Sequence, residues 1–211
     1  MAEAYRSSPD TDFHQMVADM AGIQRKAAKT IGLGLMYGMG KQKLANSLDL
    51  PLDEAGELIQ SFHMNVPFLK GTVNAVMKRI EHPASNGSIR TLLGRKCRFP
   101  LWEPVEYGIN KALPREQAVV EYGPRIKRAM TYKGLNRLIQ GSAADQTKAA
   151  MVALNKAGFR LLLQVHDEIA VSVENKEQAQ EAARIMAEAV SLEVPSRVDV
   201  ELGPSWGEAK G

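Results

Sequence analysis

Two groups of residues have types and spacings that can do chemistry. Asp167 and Glu168 stand between the β-rich runs Phe159–Val165 and Ile169–Val173, so the spacing predicts a tight antiparallel hairpin with both carboxylates at its turn. Carboxylates at a hairpin tip suit Mg²⁺, a hard cation that takes oxygen ligands and keeps waters or phosphates in its shell; the plain alternative is a polar, solvated turn. The second group is Arg25, Lys29, Leu33 and Tyr37, which recur at i,i+4 steps and so share one face of a helix starting near Gln24. Two cations can grip a polyphosphate while the leucine and the phenol lie against a sugar or base. An amphipathic helix whose basic side chains snorkel along an apolar surface would read the same way.

The elements that must position these groups follow from periodicity and punctuation. Residues 1–12 are polar, contain Ser7-Ser8-Pro9-Asp10 and read as linker; Thr11 or Asp12 then caps a helix with Met16, Met20 and Ile23 at helical spacing, ended by Gly22. Gly32, Gly34 and Gly38 fall inside or at the end of the next helix, where glycine costs about 1 kcal/mol relative to alanine; close approach of a bulky group, or simply a helix end at Gly38-Met39-Gly40, would explain them. Helices continue to about Ile80, broken at Leu50-Pro51 and restarted at Pro67, followed by a turn at Pro83–Gly87, a short strand from Ser88 and a basic loop, Gly94–Arg98. Residues 99–123, interrupted by Pro and Gly, read as an irregular crossover. A long helix is expected from about Pro124 to Ala157, then the hairpin, a helix from Lys176 to Val190 and a last strand from Arg197 to Leu202. The expected class is α+β: a mostly helical lobe (13–98), then a partial second lobe (124–211) with a small antiparallel sheet and packed helices.

The bulk numbers add bounds. A chain of 211 residues, 45% hydrophobic and 24% charged, can build one large core or two small ones. The net charge of +3 and pI of about 8.9 are only mildly basic, but the cations cluster: Arg90, Arg95, Lys96 and Arg98 in one stretch, Arg125, Lys127, Arg128, Lys133 and Arg137 in another. Such clusters are either electrostatic footprints for nucleic acid or solvated faces. No apolar run is long enough to cross a bilayer, no secretory leader is evident, and the one cysteine, Cys97, cannot form an internal disulfide, so a cytoplasmic protein with no membrane partner is expected.

Taken together, the motifs resemble DNA polymerase family A, the bacterial and phage DNA polymerase I-like enzymes. Arg25–Gly38 (RKAAKTIGLGLMYG) resembles the family's nucleotide-binding fingers helix, Gln164-Val165-His166-Asp167-Glu168 its second catalytic-carboxylate motif, and Leu135–Asp145 (LNRLIQGSAAD) the palm helix that reaches primer and template. Arg90–Arg95 resembles a fingers segment and Val198–Trp206 the C-terminal strand and tail. The resemblance implies a transferase of DNA replication: primer-template DNA and deoxynucleoside triphosphates as partners, and Mg²⁺, or Mn²⁺ in its place, as cofactor. It implies nucleotide contacts at His14, Arg25, Lys29, Leu33 and Tyr37, with Lys29 also the proton donor to departing pyrophosphate. It implies DNA contacts at Asn136, Gln140 and His166, to which the basic residues Arg95, Lys96, Arg98 and Lys133 add. Asp167 would ligate the metals, with Glu168 a supporting carboxylate.

Three departures stand out. Gly32-Leu33 replaces an Asn-Phe-like pair, which predicts altered discrimination at the sugar 3′ position. Tyr132 occupies a place where an arginine often precedes the palm-helix asparagine by four residues. The family's first catalytic motif, an Asp-Tyr-Ser-like strand, has no counterpart in these 211 residues, and residues 1–7 resemble the stretch that follows it. The expectation is therefore a polymerase fragment that is inactive alone and competent when an N-terminal part or separate subunit supplies the first aspartate and thumb, with an exposed sheet edge that pairs with that strand or self-associates. The alternative from another class is a noncatalytic DNA-binding remnant or structural subunit; a metal-dependent nuclease is a third.

Overall fold

The computed structural model describes residues 2–8, 11–106, 108 and 111–209. The chain divides into two compact units: Asp12–Ile139, and Met1–Thr11 together with Gln140–Gly211. The second unit opens with helix α1 (Ala2–Ser7), where a linker was expected; the Arg6 guanidinium ties it down by donating to the Glu193 carbonyl at 3.1 Å. Pro9 and Asp10 of the expected turn lie outside the described residues.

The first unit is built on five helices, α2 (Phe13–Ala21), α3 (Arg25–Met36), α4 (Lys41–Leu48), α5 (Leu52–Asn65) and α6 (Pro67–Glu81). Their boundaries follow local chemistry. Asp12 caps α2 by accepting from the amides of His14 at 2.9 Å and Gln15 at 3.0 Å, and Gly22 ends it in the left-handed region at φ 67°. Helix α5 follows Pro51, with Asp53 and Glu54 in its first turn, and Pro67 opens α6, where its missing N–H costs nothing. Val17, Ala18, Ile31, Leu44, Phe62 and Val66 form the core. In α2 the buried side is Val17, Ala18 and Ala21, whereas Met20 is 46% exposed, so the expected Met16–Met20–Ile23 stripe is rotated from the true core face.

Two small antiparallel sheets complete this unit. Strands β1 (Ser88–Arg90) and β2 (Lys96–Arg98) pair with Ile89 opposite Cys97. Strand β3 (Leu101–Pro104) lies between β4 (Leu113–Pro114) and β5 (Ile126–Arg128), and helix α7 (Arg115–Tyr122) follows β4 directly. Among the described residues of the expected crossover over 99–123, strands β3 and β4 and helix α7 therefore take the place of irregular chain. Two of the three prolines in this stretch, Pro104 and Pro114, sit at strand ends, where a missing donor is tolerated.

Nor does the long helix begin near Pro124. Residues 126–128 are drawn into strand β5, where Trp102 pairs with Arg128 and Glu103 with Lys127. The Arg128 guanidinium stacks 4.6 Å from the Trp102 ring centre. A short 3₁₀ turn, Thr131–Lys133, follows, and helix α8 runs Gly134–Lys156. Cross-strand contacts override the helical propensity of that Arg- and Lys-rich stretch.

In the second unit, α8 ends at Lys156 and Gly158, at φ 88°, turns the chain away from it, and β6 (Arg160–Val165) and β7 (Glu168–Ser172) form the expected hairpin. Helix α9 (Lys176–Glu188) is capped by the Asn175 side chain, and the short helix α10 covers Trp206–Ala209. Ala150, Leu154, Ala179, Ala182 and Val190 are buried. Residues 197–202 form no strand: the Val198–Val200–Leu202 alternation is present, but Val200 and Leu202 are 44% and 48% exposed and no neighbouring strand pairs with them among the described residues. The architecture is α+β, helices with small antiparallel sheets, and no described helix is long and apolar enough to cross a membrane.

Candidate functional site

Helix α3 buries Ala28, Ile31, Gly32 and Gly34, which turns Arg25 and Lys29 to solvent and leaves Leu33 half-buried. Arg25 is fixed: its Nε and Nη2 both lie 2.7 Å from Asp12 Oδ2, while Oδ1 of the same carboxylate caps α2. The Gln15 amide and then the Arg25 guanidinium hold the Asp12 carboxyl below its ordinary pKa.

His14, in the first turn of α2, completes this cluster. Its Nδ1 is enclosed with no hydrogen-bond partner, and the Phe13 ring meets it edge-on at 5.4 Å. Burial lowers its pKa from 6.5, and the Lys29 and Arg25 charges lower it further against the opposing pull of Asp12. The structure thus brings together His14, Arg25 and Lys29 as two cations and an imidazole with a lowered pKa, an arrangement whose charge would suit a polyanion such as a triphosphate.

The glycines of α3 have separate explanations. Gly38 at φ 77° ends the helix in a Schellman motif: the Met39 amide reaches the Gly34 carbonyl at 2.7 Å and the Gly38 amide the Leu35 carbonyl at 3.1 Å. At Gly34 a Cβ would lie 2.7 Å from the Met39 sulfur, so Met39 packs closely on the helix there, although its flexible thioether end could shift to admit a methyl group. At Gly32 a Cβ would meet only the Phe62 ring at 3.8 Å, an ordinary contact that alanine could make. Tyr37, the C-cap, is 37% exposed.

The other residues expected in this unit are dispersed over further elements. In the β1–β2 hairpin, Arg90 is opposite Lys96 and Ser88 opposite Arg98, so the three cations share the face away from Ile89 and Cys97; Arg95 is exposed at the turn. Asn136 is half-buried with Oδ1 enclosed and unpartnered, and Lys133 Nζ lies 5.6 Å from the Tyr132 ring centre. Sequence reasoning missed three features here. Asp12 serves as both cap and Arg25 clamp, across a separation of thirteen residues that no helical period marks. Arg115 and Arg128 both stack on Trp102. Tyr132 packs on Gly38.

In the second unit, Gln140 is exposed on α8. His166 and Asp167 form a two-residue turn, since Val165 pairs with Glu168. His166 adopts φ 55°, uncommon for a residue with a side chain, and its carbonyl accepts from Nε2 of the Gln164 side chain. His166, Asp167 and Glu168 are all exposed. Two adjacent, solvent-facing carboxylates fit a cation that arrives partly hydrated and brings phosphate oxygens with it; they do not make a closed protein cage, and no group of three or more potential ligands occurs among the described residues.

The sequence model described as DNA polymerase family A matches residues 1–208. The DNA-directed DNA polymerase of Pseudomonas phage M6 is 41% identical over 243 aligned residues, covering 99% of this chain and 33% of the relative. DNA polymerase I of Helicobacter pylori is 34% identical over 92% of the chain and 20% of the relative. The solved POL domain of Pol1 from M. smegmatis, in complex with DNA primer-template and dNTP, superposes with a TM-score of 0.73 at 29% identity, covering 100% of this chain and 36% of that one. The chain spans a third or less of the length of these curated relatives.

Proposed function

The chain belongs to DNA polymerase family A, and on that premise we propose that it provides the fingers and distal palm share of a DNA-directed DNA polymerase. The observation that carries this reading is the clustering of Arg25, Lys29 and His14 on the outward side of α2 and α3. In it, residues 13–98 bind the incoming deoxynucleoside triphosphate and residues 124–211 supply the carboxylate turn and part of the primer-template contact. The Mycobacterium neighbour, solved with primer-template and dNTP, supports that choice of ligands.

Arg25 and Lys29 neutralise charge on the phosphoryl oxygens as the primer 3′ hydroxyl attacks the α-phosphate in line, and Lys29 donates a proton to the leaving pyrophosphate. Leu33 lies against the sugar, and Tyr37 shapes the nascent base pair. Asn136 and Gln140 contact the duplex near the primer end, His166 holds the primer terminus, and Arg95, Lys96, Arg98 and Lys133 pair with backbone phosphate. Asp167, supported by Glu168, would hold Mg²⁺ or Mn²⁺, which when bound would lower the hydroxyl pKa and offset charge on the leaving group. The remaining carboxylate ligands are assigned to polymerase sequence corresponding to the other two-thirds of the phage relative.

The test is primer extension by a chimera in which this chain replaces its counterpart in the Pseudomonas phage M6 polymerase. The expected result is template-directed extension, abolished by Asp167→Ala while DNA binding persists. Salt-dependent DNA binding with no extension, alongside an active phage parent, would instead establish a noncatalytic binding role.

A further inference from the structure

Tyr132 is 43% exposed, yet its ring does not merely lie on the surface. A Cβ built on Gly38 would fall 2.4 Å from Tyr132 Cδ2 and 3.0 Å from Cε2, so the ring presses on the backbone of the turn that ends α3. That turn carries Tyr37 on one side and Met39 on the other.

The base from which Tyr132 reaches this turn is tightly determined. Met130 enters the 3₁₀ turn at φ 60°, a left-handed conformation that a non-glycine residue holds only where its surroundings enforce it. Thr131, next to it, is buried, and its hydroxyl lies 3.2 Å from Glu81 Oε1 at the end of α6. On the other side, a Cβ at Gly134 would fall 2.5 Å from Ile80 Cδ1 and 2.9 Å from Val76 Cγ1, so the first residue of α8 sits flush against α6. Tyr132 therefore projects from a short segment anchored to α6 both before and after it. Helix α3 packs on α6 as well. The ring closes a triangle of α6, the 3₁₀ turn and the end of α3.

We propose that Tyr132 is a positioning residue for nucleotide selection: its ring braces Gly38 and so fixes the turn from which Tyr37 faces the nascent base pair. The selection role rests on the polymerase reading above; the brace does not. A brace of this kind needs the ring and not the hydroxyl. It acts through Tyr37, so it discriminates between correct and mismatched nucleotides more than it changes the rate of correct insertion. A cation at this position, such as an arginine, would leave Gly38 unbraced.

Two measurements separate the parts. In amide hydrogen exchange on the 211-residue chain, Tyr132→Ala should speed exchange at Gly38 and Met39 about tenfold relative to the α5 core, while Tyr132→Phe leaves both unchanged. Unchanged exchange in Tyr132→Ala, or equal acceleration by Phe, would overturn the brace. In the phage chimera, Tyr132→Ala and Tyr132→Arg should raise misinsertion relative to correct insertion about five- to tenfold, with kcat for the correct nucleotide within about twofold and Tyr132→Phe restoring the parental ratio. Faster exchange with unchanged misinsertion would overturn the selection role and keep the brace. A chimera with no extension at all would overturn the polymerase reading and the selection role together, leaving the exchange result to stand on its own.

Discussion

The outward face of α3 and the β6–β7 turn are built in opposite ways. The α3 face is held from many sides: a capped neighbouring helix, a two-nitrogen clamp from Arg25 to Asp12, and a Schellman end with Tyr132 packed on it. The carboxylate turn projects from a two-stranded ladder, with His166, Asp167 and Glu168 exposed and Leu162 and Leu163 beside them 58% and 45% exposed. An isolated pair of strands is marginal in water. A nucleotide site gains from cations arranged before the ligand arrives, because less ordering is left to binding. Under the proposed function, the helical face is preformed and the exposed carboxylate turn would be completed by the cation and substrate that bind it.

Substitutions can break this contrast, and the largest effect belongs to the turn. In the chimera, Asp167→Ala should lower the rate of nucleotide addition by at least about 10³-fold, the scale of losing metal-borne charge stabilisation; a loss below tenfold would remove Asp167 from the metal. Lys29→Ala should cost about 10²- to 10³-fold in single-turnover rate, the range of a general acid that also meets phosphate charge. If Lys29→Ala raised only the nucleotide Kd, the proton-donor role would go and the binding role would stay.

Smaller effects sharpen the helical side. Leu33→Phe should change the ratio of dideoxy- to deoxynucleotide incorporation by about tenfold, because a ring gains sugar contact that leucine lacks; equal ratios would show that position 33 does not touch the sugar. The smallest effect is on pH dependence. His14 is neutral near pH 7 because burial and the Lys29 and Arg25 charges depress its pKa. Phosphate anions favour the protonated ring and raise that pKa, so nucleotide binding takes up a proton between the depressed free value and the raised bound one. Nucleotide affinity should therefore improve modestly as pH falls toward the depressed free value, and His14→Gln should flatten that profile.

What could be read from the sequence divides along the same line as the physics. Local chemistry wrote the boundaries of α2, α3, α5 and α6 and the β6–β7 hairpin, because caps, prolines and a two-residue turn act over a few positions. The Arg25–Lys29–Leu33–Tyr37 face was visible as a helical period. Strands β3 and β5 were misread because they form through contacts with each other: Trp102 needs Arg128 across β3 and β5, and neither residue signals the other in sequence. The buried side of α2 was misplaced for a related reason. Methionine tolerates solvent, and the small Ala18 and Ala21 carry the close packing that hydrophobicity alone underrates. The Asp12 clamp and the Tyr132 brace are tertiary contacts with no periodic trace.

The most direct measurement is single-turnover addition of one nucleotide by the chimera, with Arg25→Ala and Asp167→Ala compared at increasing dNTP concentration. The preformed face predicts that Arg25→Ala raises the nucleotide Kd about tenfold or more with a smaller change in maximal rate. The completed turn predicts that Asp167→Ala abolishes the rate while leaving nucleotide Kd, measured by equilibrium binding, within a few-fold. Full extension by Asp167→Ala, or unchanged nucleotide binding by Arg25→Ala, would contradict the account.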